Sequence, residues 1–123
     1  MKFTLYTANC TGYEKNCLYP NVCIIENEAD FAAAVQRDHV TGRFKGNYRS
    51  IDNFEVSDCV VMDCDNDHSD WQDDWATPQE LKRRLDDIAF AIAPSRNNMK
   101  EKDGKSPRPR FHVYFPHDQI RDP

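Results

Sequence analysis

Val60-Val61-Met62-Asp63-Cys64-Asp65 decides how this chain is read. Val, Val and Met have no reason to face water, so the run predicts a buried strand over residues 58–65 that ends in paired carboxylates. Side chains two apart on a strand share a face, with Cα atoms roughly 6.5–7 Å apart. Asp63 and Asp65 are therefore expected to look the same way, with Cys64 pointing into the opposite layer. Acids held like this repel each other unless a cation lies between them. Paired Mg²⁺ or Mn²⁺ ions about 3.5–4 Å apart suit the spacing. Acids are also common just after a strand, where they cap the next turn, and Asp67, Asp70, Asp73 and Asp74 continue the run as a solvated acidic loop. Metal binding by Asp63 and Asp65 therefore needs a second element further along.

A chain of 123 residues is one domain, large enough for a core but on the small side. With 39% hydrophobic and 30% charged residues and no run of about 18 apolar residues, the composition is that of a soluble protein with no membrane partner. Met1-Lys2-Phe3-Thr4-Leu5-Tyr6-Thr7 is too short and too polar for a secretory signal and reads as a first strand. Cys10, Cys17, Cys23, Cys59 and Cys64 are odd in number and form no C-x-x-C, so reduced thiols in a cytoplasm are expected. Cys10, Cys17 and Cys23 cluster in sequence, but their wide spacing and the lack of a nearby His make a poor zinc pattern.

The net charge of −5 does not advertise nucleic-acid binding, but it hides a segregation. Residues 63–74 carry six Asp and no Lys or Arg. Residues 95–110 carry Arg96, Lys100, Lys102, Lys105, Arg108 and Arg110 against Glu101 and Asp103, a local net of +4. A fold that joins these stretches sets metal-seeking carboxylates beside phosphate-seeking cations.

The other elements are set by local pattern. Strands are expected over 2–8 and 22–25, with a loop between them, and a helix over 28–37, Ala-rich with acids in its first turn. Residues 39–49 suggest a hairpin turning near Gly46-Asn47. There Arg43, Lys45 and Arg49 interleave with Phe44 and Tyr48, a pattern that suits nucleic acid and equally any half-exposed hairpin. Trp71 and Trp75 are expected to pin the acidic loop to the body. Thr77-Pro78-Gln79-Glu80 is a helix start, with Thr as N-cap, Pro at the first helical position and Glu three residues after the cap. That helix should run to about residue 86, with Leu81 and Leu85 facing the core. In the strand expected over 88–93, Ile88, Phe90 and Ile92 fill a core. Ala89, Ala91 and Ala93 leave room on the other face for a nucleotide or a closely packed helix. After a loop over 94–109, the strand 110–115 buries Phe111, Val113 and Phe115 and turns Arg110, His112 and Tyr114 the other way. The order predicts an α+β fold with a mixed or antiparallel sheet. Asp122-Pro123 reads as a helix start, so the chain is expected to be the first part of a longer protein.

With Asp63, Asp65 and His112 in place, the sequence resembles the catalytic module of archaeo-eukaryotic-type primase-polymerases, in the branch carried by mobile elements, plasmids and phages. Those enzymes have an hhhDhD strand, an S-x-H strand and a third motif with a further Asp. Val60 to Asp65 matches the first. Arg110-Phe111-His112, within Arg108 to Pro116, looks like the second, with Arg110 in place of the usual small residue. Tyr48-Arg49-Ser50 through Asp63 to Ser69, and Pro94 to Lys100, also look like that branch, and the likeness covers residues 28–120.

The resemblance implies an RRM-like sheet with flanking helices, and nucleotidyl transfer in DNA replication with Mg²⁺ or Mn²⁺ as cofactor. Asp63 and Asp65 would be catalytic residues that hold the metals, and His112 a catalytic residue that contacts the phosphates of the incoming nucleotide. Ser95, Arg96, Lys105, Arg108 and Arg110 are further candidates for phosphate or template contacts, argued from the charge of their loop alone. The implied partners are a single-stranded DNA template and nucleoside triphosphates, with a helicase fused C-terminally or acting in trans. The third Asp would lie past residue 123, so the chain is expected to fold but to show little polymerase activity alone. The rival readings are a non-catalytic nucleotide- or nucleic-acid-binding module, a metal-dependent nuclease or phosphohydrolase using the same acids, and a scaffold domain on which Asp63 and Asp65 are surface acids.

Overall fold

The computed structural model describes residues 1–122. The fold is α+β, with antiparallel strands in two sheets and two α-helices. The strands are β1 (Phe3–Thr7), β2 (Asn21–Ile25), β3 (His39–Val40), β4 (Gly42–Phe44), β5 (Phe54–Cys64), β6 (Ala91–Pro94) and β7 (Phe111–Ile120), and the helices are α1 (Glu28–Val35) and α2 (Pro78–Arg84). One sheet has the order β2-β1-β3 and the other β4-β5-β7-β6. The chain divides into two compact units, Met1–Val60 with Phe115–Pro123, and Val61–Tyr114. The helix start expected at Asp122-Pro123 reaches outside the described residues.

In the first unit β1 is the central strand. It pairs with β2 in the register Phe3↔Ile25 to Thr7↔Asn21 and with β3 through Tyr6↔Val40. Phe3, Leu5, Ile25 and Ala34 form its core. Asn27 caps α1, its side chain accepting from the Asp30 amide at 2.8 Å, and Phe31 sets its ring edge-on against Phe3, centroids 6.1 Å apart. Asp58 of β5 accepts from both the amide and the hydroxyl of Thr4, at 2.8 and 2.9 Å.

Residues 39–49 do not form the expected hairpin. β3 pairs with β1 and β4 pairs with β5 through Gly42↔Ser57. Arms of two and three residues gain more from these longer strands than from each other. The turn residues behave as expected, since Gly46 and Asn47 hold positive φ of 65° and 59°. The chain then leaves toward a bridge between Tyr48 and Leu18.

The Cys59 thiol is buried beside Asp58, and burial first, then the carboxylate, pushes its pKa up to about 12. A thiol held neutral in the folded state contributes stability that is complete below about pH 9 and is lost as pH rises toward 12. The full loss is about 4 kcal/mol, since each pKa unit is worth about 1.36 kcal/mol. Chemical denaturation across that window should show the alkaline fall, and Cys59→Ala should flatten it.

In the second unit α2 forms as the sequence dictates. Thr77 Oγ1 accepts from the Glu80 amide at 3.2 Å, and Glu80 meets Arg84 at 2.8 Å one turn on. Leu81 and Leu85 are half-buried. The last turn takes in Ile88, whose amide donates to Leu85 O, so the next strand starts only at Ala91. Ile88 is thereby exposed, and it is Ala93, from the face expected to lie open, that is buried opposite His112. Phe111 and Val113 are buried as expected, but so is Tyr114, whose place in the alternation predicts the open face.

The expectation for Val60-Val61-Met62 also fails. The strand forms, but these side chains are 48%, 39% and 58% exposed. Burial along β5 stops at Cys59. An apolar run reports that a strand prefers cover, not that cover is present.

Candidate functional site

The end of β5 and the start of β7 bring the sequence-marked residues together. Asp63 is the penultimate residue of β5 and His112 the second residue of β7. His112 Nε2 lies 2.6 Å from Asp63 Oδ1, with both side chains partly open to solvent. Two acceptors do not approach that closely, so Nε2 carries a proton. The imidazole ring also stands edge-on to Tyr114, centroids 6.5 Å apart, and Tyr114 is buried. His112 is thus braced on one side by a fixed ring and directed at the carboxylate on the other. Asp65 stands just past the strand end.

The turn after Asp65 is held tightly. Asn66 is buried with φ of 57°, a left-handed conformation that Asn tolerates better than most residues. Its side-chain amide donates to Ala76 O at 2.9 Å and Pro109 O at 2.8 Å, and its carbonyl accepts from Ala76 N at 2.8 Å. One residue therefore ties the turn beyond the acid pair to the far end of the acidic loop and to the entry of β7. Asn66→Ala would strand buried donors and acceptors and place a Cβ-bearing aliphatic residue at positive φ. The expected cost is about 2–4 kcal/mol in denaturant unfolding. Burial, then the charge of Asp65, raises the Cys64 thiol's pKa, which leaves it a poor nucleophile.

The acidic and basic stretches do fold together, but mainly by neutralising each other. Arg108 is 0% exposed. Its Nη1 donates to Asn66 O at 2.9 Å and Ser69 O at 2.8 Å, its Nη2 to Asp70 Oδ1 at 2.9 Å, and its Nε to Ser106 O at 3.1 Å. The guanidinium also lies over the Trp75 ring at 5.0 Å. Trp75 thus pins the loop as expected, whereas Trp71 is exposed. Arg110 is 1% exposed, with Nη1 2.8 Å from Asp67 Oδ1, and Lys105 Nζ reaches the same carboxylate at 3.7 Å. Desolvation alone would raise the Asp67 pKa; Arg110, Lys105 and Arg108 outweigh it and hold the carboxyl below its ordinary value. Asp67 and Asp70 are exposed, as expected of a solvated acidic loop, and they also serve as counter-ions of buried arginines.

Of the sequence-marked residues, Asp63 and His112 meet directly. Arg108 and Arg110 are buried in ion pairs, and Lys105 shares Asp67 with Arg110. Ser95 is half-buried, its amide donating to Arg110 O at 2.9 Å, and Arg96 is exposed. Sequence reasoning missed Asn66, Asp67 and Asp70 as site-forming residues, though it marked Trp75 as a pin for the loop. Only the Asn after D-x-D carried a signal, its tolerance of positive φ.

Among the described residues no group of three or more His, Cys, Asp or Glu is assembled around a common metal position, and this includes Cys10, Cys17 and Cys23. A hard ion such as Mg²⁺ does not require one. It is usually held by one or two carboxylates and completes its shell with water and substrate phosphates. Asp63 at the end of β5 and Asp65 just past it are oxygen donors of the kind that mode uses. Among the described residues no helix is long and apolar enough to cross a membrane. Comparison with known proteins finds no family model, curated protein or solved structure that matches this chain.

Proposed function

We propose that this chain is a primase-polymerase-like nucleotidyltransferase module, with Asp63 and Asp65 as the metal-holding carboxylates and His112 as the contact to the nucleotide's phosphates. The observation that carries the reading is the 2.6 Å approach of His112 Nε2 to Asp63 Oδ1 on one sheet. Residues 49 positions apart in sequence have no local reason to meet, and their meeting supports a shared triphosphate site by bringing the acid and the imidazole to one place. In this reading the β4-β5-β7-β6 sheet is the RRM-like catalytic sheet. Nucleoside triphosphates and single-stranded DNA are the substrates, and a helicase is the partner in replication.

Within the chain, Asp63 positions the imidazole, and Tyr114 restricts its rotation. With Nε2 protonated, His112 donates a hydrogen bond to a phosphate oxygen once the carboxylate turns to a cation. Asp63 and Asp65 would hold the divalent ions, which would supply activation of the attacking 3′-hydroxyl and charge neutralisation of the pyrophosphate. The buried Arg108 and Asn66 hold the turn that carries Asp65.

Calorimetric titration of the full chain with a non-hydrolysable nucleoside triphosphate tests the reading. Binding should be at least tenfold tighter with Mn²⁺ than with EDTA. Equal binding under both conditions would favour a metal-independent binding module. Cleavage of DNA or of the triphosphate with Mn²⁺, without primer extension, would favour a nuclease or phosphohydrolase.

A further inference from the structure

Arg110 is the most anomalous charge in the molecule. Its side chain is 1% exposed, and among the described residues none of its three guanidinium nitrogens has an acceptor in hydrogen-bonding alignment, although Nη1 lies 2.8 Å from Asp67 Oδ1. Arg108 shows what a satisfied buried guanidinium looks like two residues away, with all of its nitrogens engaged. Buried polar groups in native proteins are overwhelmingly paired, and a buried guanidinium left with unused donors is costly. A planar fork of five N–H donors matches an oxyanion that presents several oxygens, better than it matches a single carboxylate met off-axis.

The charged groups beside this guanidinium are partly open to solvent. Asp67 and Lys105, the side chains grouped at Arg110, are 40% and 39% exposed, so each has solvent to move into. The backbone under Arg110 is fixed instead. Its amide donates to Asn98 Oδ1 at 2.9 Å, and its carbonyl accepts from Ser95 N at 2.9 Å. The site is thus a buried cation on a hydrogen-bonded backbone, facing a carboxylate and an ammonium that are both partly open to solvent. Arg110 immediately precedes β7 and lies two residues before His112, so this cation and the Asp63–His112 pair share one stretch of chain at the start of that strand.

We propose that the Arg110 guanidinium is a covered oxyanion site, in which Asp67 is the resident counter-ion and gives way to the terminal phosphates of a nucleotide's polyphosphate tail. The identity of the anion rests on the nucleotidyltransferase reading; the exchange of Asp67 for an oxyanion does not. Lys105, released from Asp67, then moves with the incoming charge. Asp67 consequently weakens binding by competing for the same cation, and its removal strengthens it.

The test uses inorganic tripolyphosphate with EDTA throughout, so that no metal takes part. In the wild-type chain, tripolyphosphate should shift the Arg110 Nε–Hε resonance, and Arg110→Lys should lose that binding. Asp67→Asn should bind at least tenfold more tightly. Affinity that is unchanged or weaker in Asp67→Asn, or an Arg110 resonance unmoved at tens of millimolar, overturns the proposal. Should Asp67→Asn not fold, the Asp67 carboxyl carbon of the wild type decides. It should move in step with Arg110, and a fixed Asp67 signal overturns the exchange. A response to oligodeoxythymidylate but not to tripolyphosphate also overturns it, in favour of strand phosphates. If Mn²⁺-dependent nucleotide binding fails while tripolyphosphate still moves Arg110 and Asp67, only the reading of the metal site falls.

Discussion

Arg108→Ala is expected to lower the unfolding free energy by about 3–5 kcal/mol, the range for breaking a buried charge-pair network from one side. The side chain is fully buried and donates to Asn66 O, Ser69 O, Asp70 and Ser106 while stacking over Trp75. Its loss leaves carbonyls of the 66–69 turn without donors and opens a void against the Trp75 ring. Asp70 is itself well exposed and is readily hydrated, so the damage comes from the carbonyls and the void rather than from an orphaned carboxylate. Typical domains hold only about 5–15 kcal/mol in total, so the loss is a large fraction of the stability. Arg108→Lys should recover little, because an ammonium cannot span these acceptors. Chemical denaturation of the three proteins measures this. A loss under about 1 kcal/mol for Arg108→Ala would mean that the loop is held by something else.

Asp63→Asn is expected to weaken Mn²⁺-dependent nucleotide binding by about 100-fold or more. Partners one shell removed from a metal already cost about 10–100-fold when mutated, and Asp63 is proposed as a direct ligand. The substitution keeps the shape of the side chain and most of its contact with His112, and it sits on an exposed strand end, so stability should change little. His112→Ala should cost less, about 10- to 100-fold, the worth of one hydrogen bond to a charged group at about 1.5–3 kcal/mol. That ranking separates a metal ligand from a phosphate contact. Isothermal titration at fixed Mn²⁺ gives both numbers. Equal and small effects would return Asp63 and His112 to the status of a surface ion pair.

What was legible in the sequence was what neighbours along the chain decide. Thr77-Pro78-Gln79-Glu80 capped α2 because a cap is a matter of four consecutive residues. The alternation of 110–115 placed Phe111 and Val113 inside, and D-x-D with a spaced His further on marked two strand ends that do meet. What stayed hidden depends on partners far off in sequence. Val60-Val61-Met62 looks the same whether or not a layer covers it. Tyr114 is apolar enough to be buried on the face it shares by alternation with Arg110 and His112. The basic loop read as a cation supply for phosphate, yet Arg108 and Arg110 are buried beside Asp70 and Asp67, 38 and 43 positions away. Net charge by segment marked what these stretches would set side by side if the fold joined them. It had no means of saying that each would consume much of the other's charge.

The pairing of Asp63 with His112 is the observation from which the proposed chemistry grows, and paramagnetic relaxation by Mn²⁺ tests it most directly. Substoichiometric Mn²⁺, added with a non-hydrolysable triphosphate, should broaden the His112 imidazole resonances and those of residues 63–65 ahead of any other signals. In Asp63→Asn and Asp65→Asn that broadening should be lost. Broadening spread over the acidic surface at Asp73 and Asp74, or left intact in both variants, would contradict a metal and nucleotide site built on these strand ends.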